Sequence, residues 1–109
     1  MTRWALVVKQ LEGSGESLHW NAQLIGEVTG TREEALAVLR QHAQTFETRH
    51  PWELHRRVLC RDGDDGFFVM NRGRTRDFPC EFRVYEVLWD SAPPMPGLAP
   101  GGPGGPGFG

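Results

Sequence analysis

Lysine, cysteine, long apolar runs and net charge are all scarce in this chain. Its basic residues are arginines apart from Lys9, only 2 residues are cysteine, and the formal net charge is −2. No stretch approaches the roughly 18 consecutive apolar residues that a membrane-spanning helix needs. The start, MTRWALVVKQLEG, is unlike a signal peptide because its short apolar run is interrupted by Lys9. These features predict a cytoplasmic, soluble protein without a general attraction to membranes.

The sequence also lacks the motifs that identify common enzymes and metal sites. It contains no G-x-S-x-G, phosphate-binding loop, dinucleotide-binding fingerprint or H-E-x-x-H. The acidic segment RDGDDG is no EF-hand loop, because the twelfth position counted from Asp62 is Gly73 where a glutamate is needed. We therefore predict no catalytic residue, no cofactor and no metal, and interpret RDGDDG as a solvated hairpin tip.

The two cysteines, Cys60 and Cys80, are expected to be reduced. They lie 20 residues apart in segments with strand character. A disulfide between them would require those strands to be neighbours. Because the chain shows no export signal, two reduced and partly buried thiols are the expected state.

The character of the chain changes at Ser91. The remaining sequence, SAPPMPGLAPGGPGGPGFG, holds most of the chain's 8 prolines and half of its 14 glycines. Proline removes backbone donors and glycine raises the entropic cost of order, so this segment buries too little apolar surface to fold. The sequence predicts one globular domain over residues 1–90 and a disordered tail over residues 91–109.

The tail should be dispensable for folding. Deleting residues 91–109 should leave the thermal midpoint nearly unchanged, because the tail has no apolar set that could offset the entropy of ordering it. Thermal unfolding of the full and shortened chains, followed by circular dichroism, measures this. A drop of more than a few degrees would mean that the tail packs on the domain.

The firmest local signal is a helix that begins after Thr31. The Thr31 side chain can accept from the Glu34 amide while the Glu34 carboxylate reaches back to Thr31, an arrangement called a capping box. Apolar residues then recur at three- and four-residue spacing: Leu36, Leu39, Ala43 and Phe46. Pro51 excludes continuation, so the helix should end near Thr48.

Five further segments have the composition or the two-residue alternation of strands. They are Trp4–Leu11, Leu18–Val28, Leu54–Arg61, Phe67–Arg72 and Cys80–Trp89. The predicted fold is α+β: a small antiparallel or mixed five-stranded sheet in the order β-β-α-β-β-β, with one helix packed on one face. Strand-strand-helix-strand-strand is also the element order of the β-grasp class, so that class is a candidate on order alone.

One helix covers one face of such a sheet, so the other face must be solvated or meet a partner. Strand parity and apolar character assign these residues to the core: Val58, Cys60, Phe82, Val84 and Leu88. The large tryptophans Trp4, Trp20 and Trp52 are expected in the core or at its edge. The opposite positions of two strands carry arginine and aromatic residues: Arg57, Arg61, Arg83, Tyr85 and Trp89. Such residues are enriched at protein interfaces, so we predict that these five contact a partner.

The sequence thus favours a small adaptor or regulatory module that binds a protein partner, or another copy of itself, through an Arg/aromatic sheet face. Single-stranded nucleic-acid binding is the alternative, because arginine and aromatic side chains also stack on unpaired bases. The mild acidity and the lack of RNP-type motifs disfavour it. A small-molecule binder or small enzyme with an unrecognised site is the third hypothesis. Arginines that merely cover apolar neighbours would need no partner at all.

Overall fold

A computed structural model describes residues 1–13, 15–46, 54–74 and 76–92. Within these residues, five strands form one sheet, every strand pairing is antiparallel, and one α-helix packs on the sheet. The elements are β1 (Arg3–Glu12), a short 3-10 helix (Gly15–Ser17), β2 (His19–Thr29), α1 (Arg32–Thr45), β3 (Arg56–Asp62), β4 (Gly66–Arg72) and β5 (Asp77–Glu86). The predicted α+β class and order of elements are confirmed.

Some predictions concern residues outside this description. The tail from residue 93 onward and the core position of Trp52 lie outside the described residues. The helix ends three residues before its predicted end near Thr48, because α1 stops at Thr45 and its C-cap Phe46 has extended backbone angles. In the part of the chain that is described, no helix is long and apolar enough to cross a membrane.

The first and last strands of the domain pair at the centre of the sheet. The strand order is β2-β1-β5-β4-β3. β1 lies antiparallel to β5 from Trp4, opposite Glu86, to Gln10, opposite Cys80. The sheet therefore consists of a β1–β2 hairpin and a β3–β4–β5 meander joined along this central pair, and α1 connects the two parts along the chain.

The helix begins and packs as its sequence predicts. The Thr31 hydroxyl accepts from the Glu34 amide at 3.1 Å, and the Thr31 amide donates to the Glu34 carboxylate at 3.2 Å, which closes the capping box. Leu39 and Ala43 are buried, and Phe46 packs at the edge of the same core. The buried apolar residues that the sheet contributes are Trp4, Leu6, Val8, Val69, Cys80, Phe82 and Val84.

β5 begins and ends three residues earlier than the sequence predicts. Its start includes Pro79, which is tolerated because pairing with β1 stops at Cys80 and leaves β4 as the neighbour there. After Glu86 the strand ends, and the Val87 amide donates to the Arg3 carbonyl at 2.9 Å. Leu88 is 87% exposed, so its predicted core position is wrong.

A bulge sends the apolar residues of β2 to both faces of the sheet. The register between β1 and β2 shifts between Leu6 and Val7, and Ile25 is left without a partner across the ladder. Ile25 packs against the core on the helix side, whereas Trp20 lies on the other face and is 47% exposed. The predicted core position is therefore wrong for Trp20. It is confirmed for Trp4, whose buried indole donates to the Gly30 carbonyl at 3.0 Å.

The two cysteines are free and lie on opposite faces of the sheet, with β4 between their strands. Cys60 is exposed and Cys80 is buried. Burial raises the pKa of the Cys80 thiol to about 11, against the smaller opposing effects of the Arg57 charge and an Asn71 hydrogen bond. Both cysteines are thus free thiols, and they differ strongly in solvent accessibility.

An alkylating reagent should therefore distinguish the two thiols. At about pH 8 we expect Cys60 to react quickly and Cys80 to react only when the domain unfolds, because the thiolate is the nucleophile and burial keeps Cys80 protonated. Mass spectrometry of the labelled peptides, with and without urea, measures both rates. Equal rates in the absence of urea would contradict the buried position of Cys80.

Candidate functional site

The face of the sheet opposite α1 carries many apolar side chains beside charged ones, and we call it the open face. Register places Val7 beside Leu24 and Met70 beside Val58 on this face. Its large apolar side chains are Val7, Leu11, Trp20, Leu24, Val58, Phe68, Met70, Pro79 and Tyr85. None of them is buried. In the described residues, no second layer of secondary structure covers this face.

Charges in the middle of the open face lie beside charges of opposite sign, whereas Arg56 and Arg72 are neighbours at one end of it. Lys9 of β1 lies opposite Glu81 of β5 near the middle of the sheet. Arg83 forms an ion pair with Asp62 at 2.9 Å by reaching across β4 at Gly66. Glycine is needed at that crossing, because a Cβ there would collide with the backbone carbonyl oxygen of Phe82 and would also lie 2.8 Å from Cγ of Arg83. The open face therefore combines a large apolar area with little net charge.

Arg83 and Tyr85 lie on the open face, as predicted from strand parity. They are two residues apart on β5, which places their side chains on the same side. The Tyr85 side chain is partly exposed, and the Arg83 guanidinium is held by its ion pair with Asp62. Their contact with a partner remains a prediction.

Arg57 lies on the helix side of the sheet, so its predicted position is wrong. Its Nε donates to Oδ1 of Asn71 at 2.8 Å, and its terminal nitrogens donate to the carbonyls of Gln44 and Phe46, each at 2.8 Å. Asn71 is fully buried and donates in turn to the Phe78 carbonyl at 3.2 Å. We call Arg57 and Asn71 the helix clamp, because they tie the C-terminal carbonyls of α1 to the sheet.

Arg61 is also on the helix side. It lines a shallow groove of about 190 Å³ between α1 and the β3–β4 turn, together with Arg40 and Asp64. The residues of β3 predicted to face the core are wrong by one position, because Leu59 packs against the core while Cys60 is exposed. The structure therefore does not bring Arg57 and Arg61 together with Arg83 and Tyr85.

Trp89 lies beyond the end of β5 and is 81% exposed. The backbone around it is fixed, because Arg3 donates from its guanidinium to Asp90 at 3.0 Å and also bonds Glu27 at 2.7 Å. The Ala92 amide and the Arg3 guanidinium lower the pKa of the Asp90 carboxyl, which keeps this contact charged. Trp89 thus projects from an anchored segment at the Tyr85 end of β5.

Arginines from β3, β4 and the loop between β4 and β5 meet at one end of the sheet, here called the basic end. Its basic residues are His55, Arg56, Arg72, Arg74 and Arg76. Asp77 bonds Arg72 at 3.3 Å, and the Arg76 guanidinium stacks on the Phe78 ring at 4.6 Å. The segment NRGRTRD contains three of these arginines. This segment lies beside Arg56 at the start of β3 only because β3 pairs with β4. This cluster was not predicted from the sequence.

The acidic β3–β4 turn is held by arginines. Asp62 pairs with Arg83, and Asp65 lies 3.5 Å from Arg32 of α1. Across the described parts of the chain, no group of three His, Cys, Asp or Glu side chains is placed to hold a metal ion. The two arginine contacts tie the turn to β5 and to α1.

Comparison of the chain with models of protein families, with curated proteins and with solved structures found no match. The open face and the basic end are the two surfaces described above from which a function can be proposed.

Proposed function

We propose that this protein is a small protein-interaction module, of the adaptor or regulatory kind, that binds a protein partner through the open face. The observation that carries the proposal is the set of large apolar side chains on that face, none of them buried. The solvated face of an antiparallel sheet normally alternates to polar residues. Contiguous apolar surface on a soluble domain beyond a few hundred Å² is typical of an interaction site.

The balanced charges of the open face support a protein partner over a polyanion. Away from the basic end, the Arg83–Asp62 pair and the Lys9–Glu81 neighbours leave no excess of one sign to attract phosphates. Partly exposed aromatics such as Tyr85 are the residue type that anchors protein interfaces. An apolar contact surface on the partner would complement this face.

Substitution on the open face tests the proposal. The tagged full chain is recovered from cells after cross-linking, and the captured proteins are compared between variants. Met70→Glu places a charge between Val58 and Pro79, so it should abolish capture of the protein partner. Leu88→Glu is the matched control, because it adds the same charge at an exposed leucine outside the sheet. Both variants should keep the circular dichroism spectrum of the parent chain. Equal capture by the parent chain and Met70→Glu would contradict the proposal.

The basic end favours a second candidate function, single-stranded nucleic-acid binding. Exposed arginines such as Arg56 and Arg74 would track a phosphate backbone, and an arginine stacked on an aromatic ring offers a planar surface to a base. Binding of fluorescent oligonucleotides across a salt series tests it. When the logarithm of the binding constant is plotted against the logarithm of the salt concentration, the slope should be about −0.7 per neutralised phosphate. Arg74→Glu should weaken binding, because it replaces a positive charge with a negative one. Absence of binding at about 50 mM salt would exclude this function.

A further inference from the structure

Resting on the proposed function, we infer that the partner of the open face is a second copy of this chain. Two copies would pack open face against open face, with their helices on the outside, as a two-fold symmetric dimer. Sheets that pack face to face in this way bury the inward side chains of both layers in one apolar core about 10 Å thick. The open face would then be the inner face of such a pair.

The area of the open face matches what a stable dimer needs. The sheet has five strands of 7 to 11 residues. With a strand spacing of about 4.8 Å and a rise of about 3.3 Å per residue, its footprint is about 550 to 850 Å². Stable protein interfaces bury about 800 Å² on each partner. One open face therefore supplies the contact area of a standard interface without any further element.

The charge pattern of the open face is compatible with itself. A two-fold interface brings the same patch together from both copies, so a face with an excess of one sign would repel its own copy. Here Lys9 and Glu81 lie side by side near the middle, and Arg83 is already neutralised by Asp62. Each Lys9–Glu81 pair is therefore neutral within its own copy, so the centre of the interface carries no excess of one sign.

The basic end selects one orientation of the two copies. A two-fold axis in the interface plane and perpendicular to the strands places the two basic ends at opposite ends of the dimer. The other in-plane axis, along the strands, would bring the Arg56 and Arg72 clusters together, where like charges repel. The dimer therefore has its strands aligned and its basic ends apart.

The mass of the full chain in solution tests the inference. Light scattering and sedimentation equilibrium should give twice the chain mass of 12.3 kDa at about 100 μM. Met70→Glu should raise the dimer dissociation constant at least about 30-fold, the factor expected for loss of an interface hot spot, whereas Leu88→Glu should leave the dimer intact. Should Met70→Glu fail to fold, Trp20→Glu at the partly exposed edge of the same face provides the second variant.

The outcomes separate this inference from the proposed function. A monomeric full chain at this concentration would overturn the dimer. If that monomer still captured another protein in a Met70-dependent way, the proposed function would stand with a different partner. If it captured none, both would fail. A chain lacking residues 93–109 should dimerise like the full chain. If the shortened chain dimerised and the full chain did not, the tail would be the segment that covers the open face.

Discussion

Leu39→Ala should lower the free energy of unfolding by about 2–5 kcal/mol. Leu39 lies in the middle of α1, is completely buried, and belongs to the core between the helix and the sheet. The substitution removes apolar atoms and leaves a cavity that the surrounding strands fill only in part. Since a domain of this size has a total stability of about 5–10 kcal/mol, the loss would be severe. Urea unfolding followed by circular dichroism measures it.

Leu88→Ala is the matched control for this experiment. It makes the same chemical change at a leucine that is 87% exposed, so the free energy of unfolding should change by less than about 0.5 kcal/mol. A loss below about 1 kcal/mol at Leu39, or a large loss at Leu88, would contradict the position of the core described here.

Arg57→Ala should cost about 2–4 kcal/mol, and Arg57→Glu should cost more. Truncation leaves the carbonyls of Gln44 and Phe46 and the buried Oδ1 of Asn71 without the donor that now satisfies them. The unsatisfied buried Oδ1 of Asn71 costs about 1–3 kcal/mol, whereas water can replace the donor at the exposed Gln44 carbonyl. A glutamate adds a negative charge beside the C-terminus of α1, where the helix dipole is already negative. Urea unfolding of both variants gives the two values.

The neighbouring residue supplies the control. Arg56→Ala removes the same side chain from an exposed position on the other side of β3 and should change stability by less than about 0.5 kcal/mol. Arg57→Lys should fall between the parent chain and Arg57→Ala, because a lysine keeps the charge and loses the planar fork that reaches three acceptors. An unchanged melting temperature in Arg57→Glu would show that Arg57 is free for the partner contact that the sequence predicts.

The helix was predictable because its signals are local. Thr31 and Glu34 are three residues apart and close the capping box by themselves. The spacing of Leu39 and Ala43 also defines the buried side of α1 without reference to the sheet. By contrast, the end of β5 depends on where β1 begins to pair with it, which is information from the far end of the chain.

Which side chains of β3 point towards the core could not be predicted from the sequence of β3 alone. Val58, Leu59 and Cys60 form an uninterrupted apolar run between arginines, so both choices of inward face fit the alternation. The choice is decided by Arg57, whose acceptors on α1 lie 11 and 13 residues away along the chain. A long-range hydrogen-bonded group of this kind has no sequence signature.

The open face was recognised in part. Alternation along β5 placed Arg83 and Tyr85 correctly. Phe68 and Met70 were missed, because an apolar residue considered within one strand is most simply assigned to the core. Register shows that β4 is apolar on both faces, since Val69 is buried on the helix side between these two residues. The combined apolar surface exists only once five strands are placed side by side.

On the ribosome, this domain cannot complete its sheet until its last strand has been made. The β1–β2 hairpin and α1 are synthesised early, but β1 then has one unpaired edge, from Trp4 to Gln10, because the strand that covers it is β5. Contacts between such distant parts of a chain form slowly. A nascent chain interrupted before Asp77 would therefore expose edges of both β1 and β4 to pairing with other chains. Complete translation is thus itself a safeguard against aggregation in this protein.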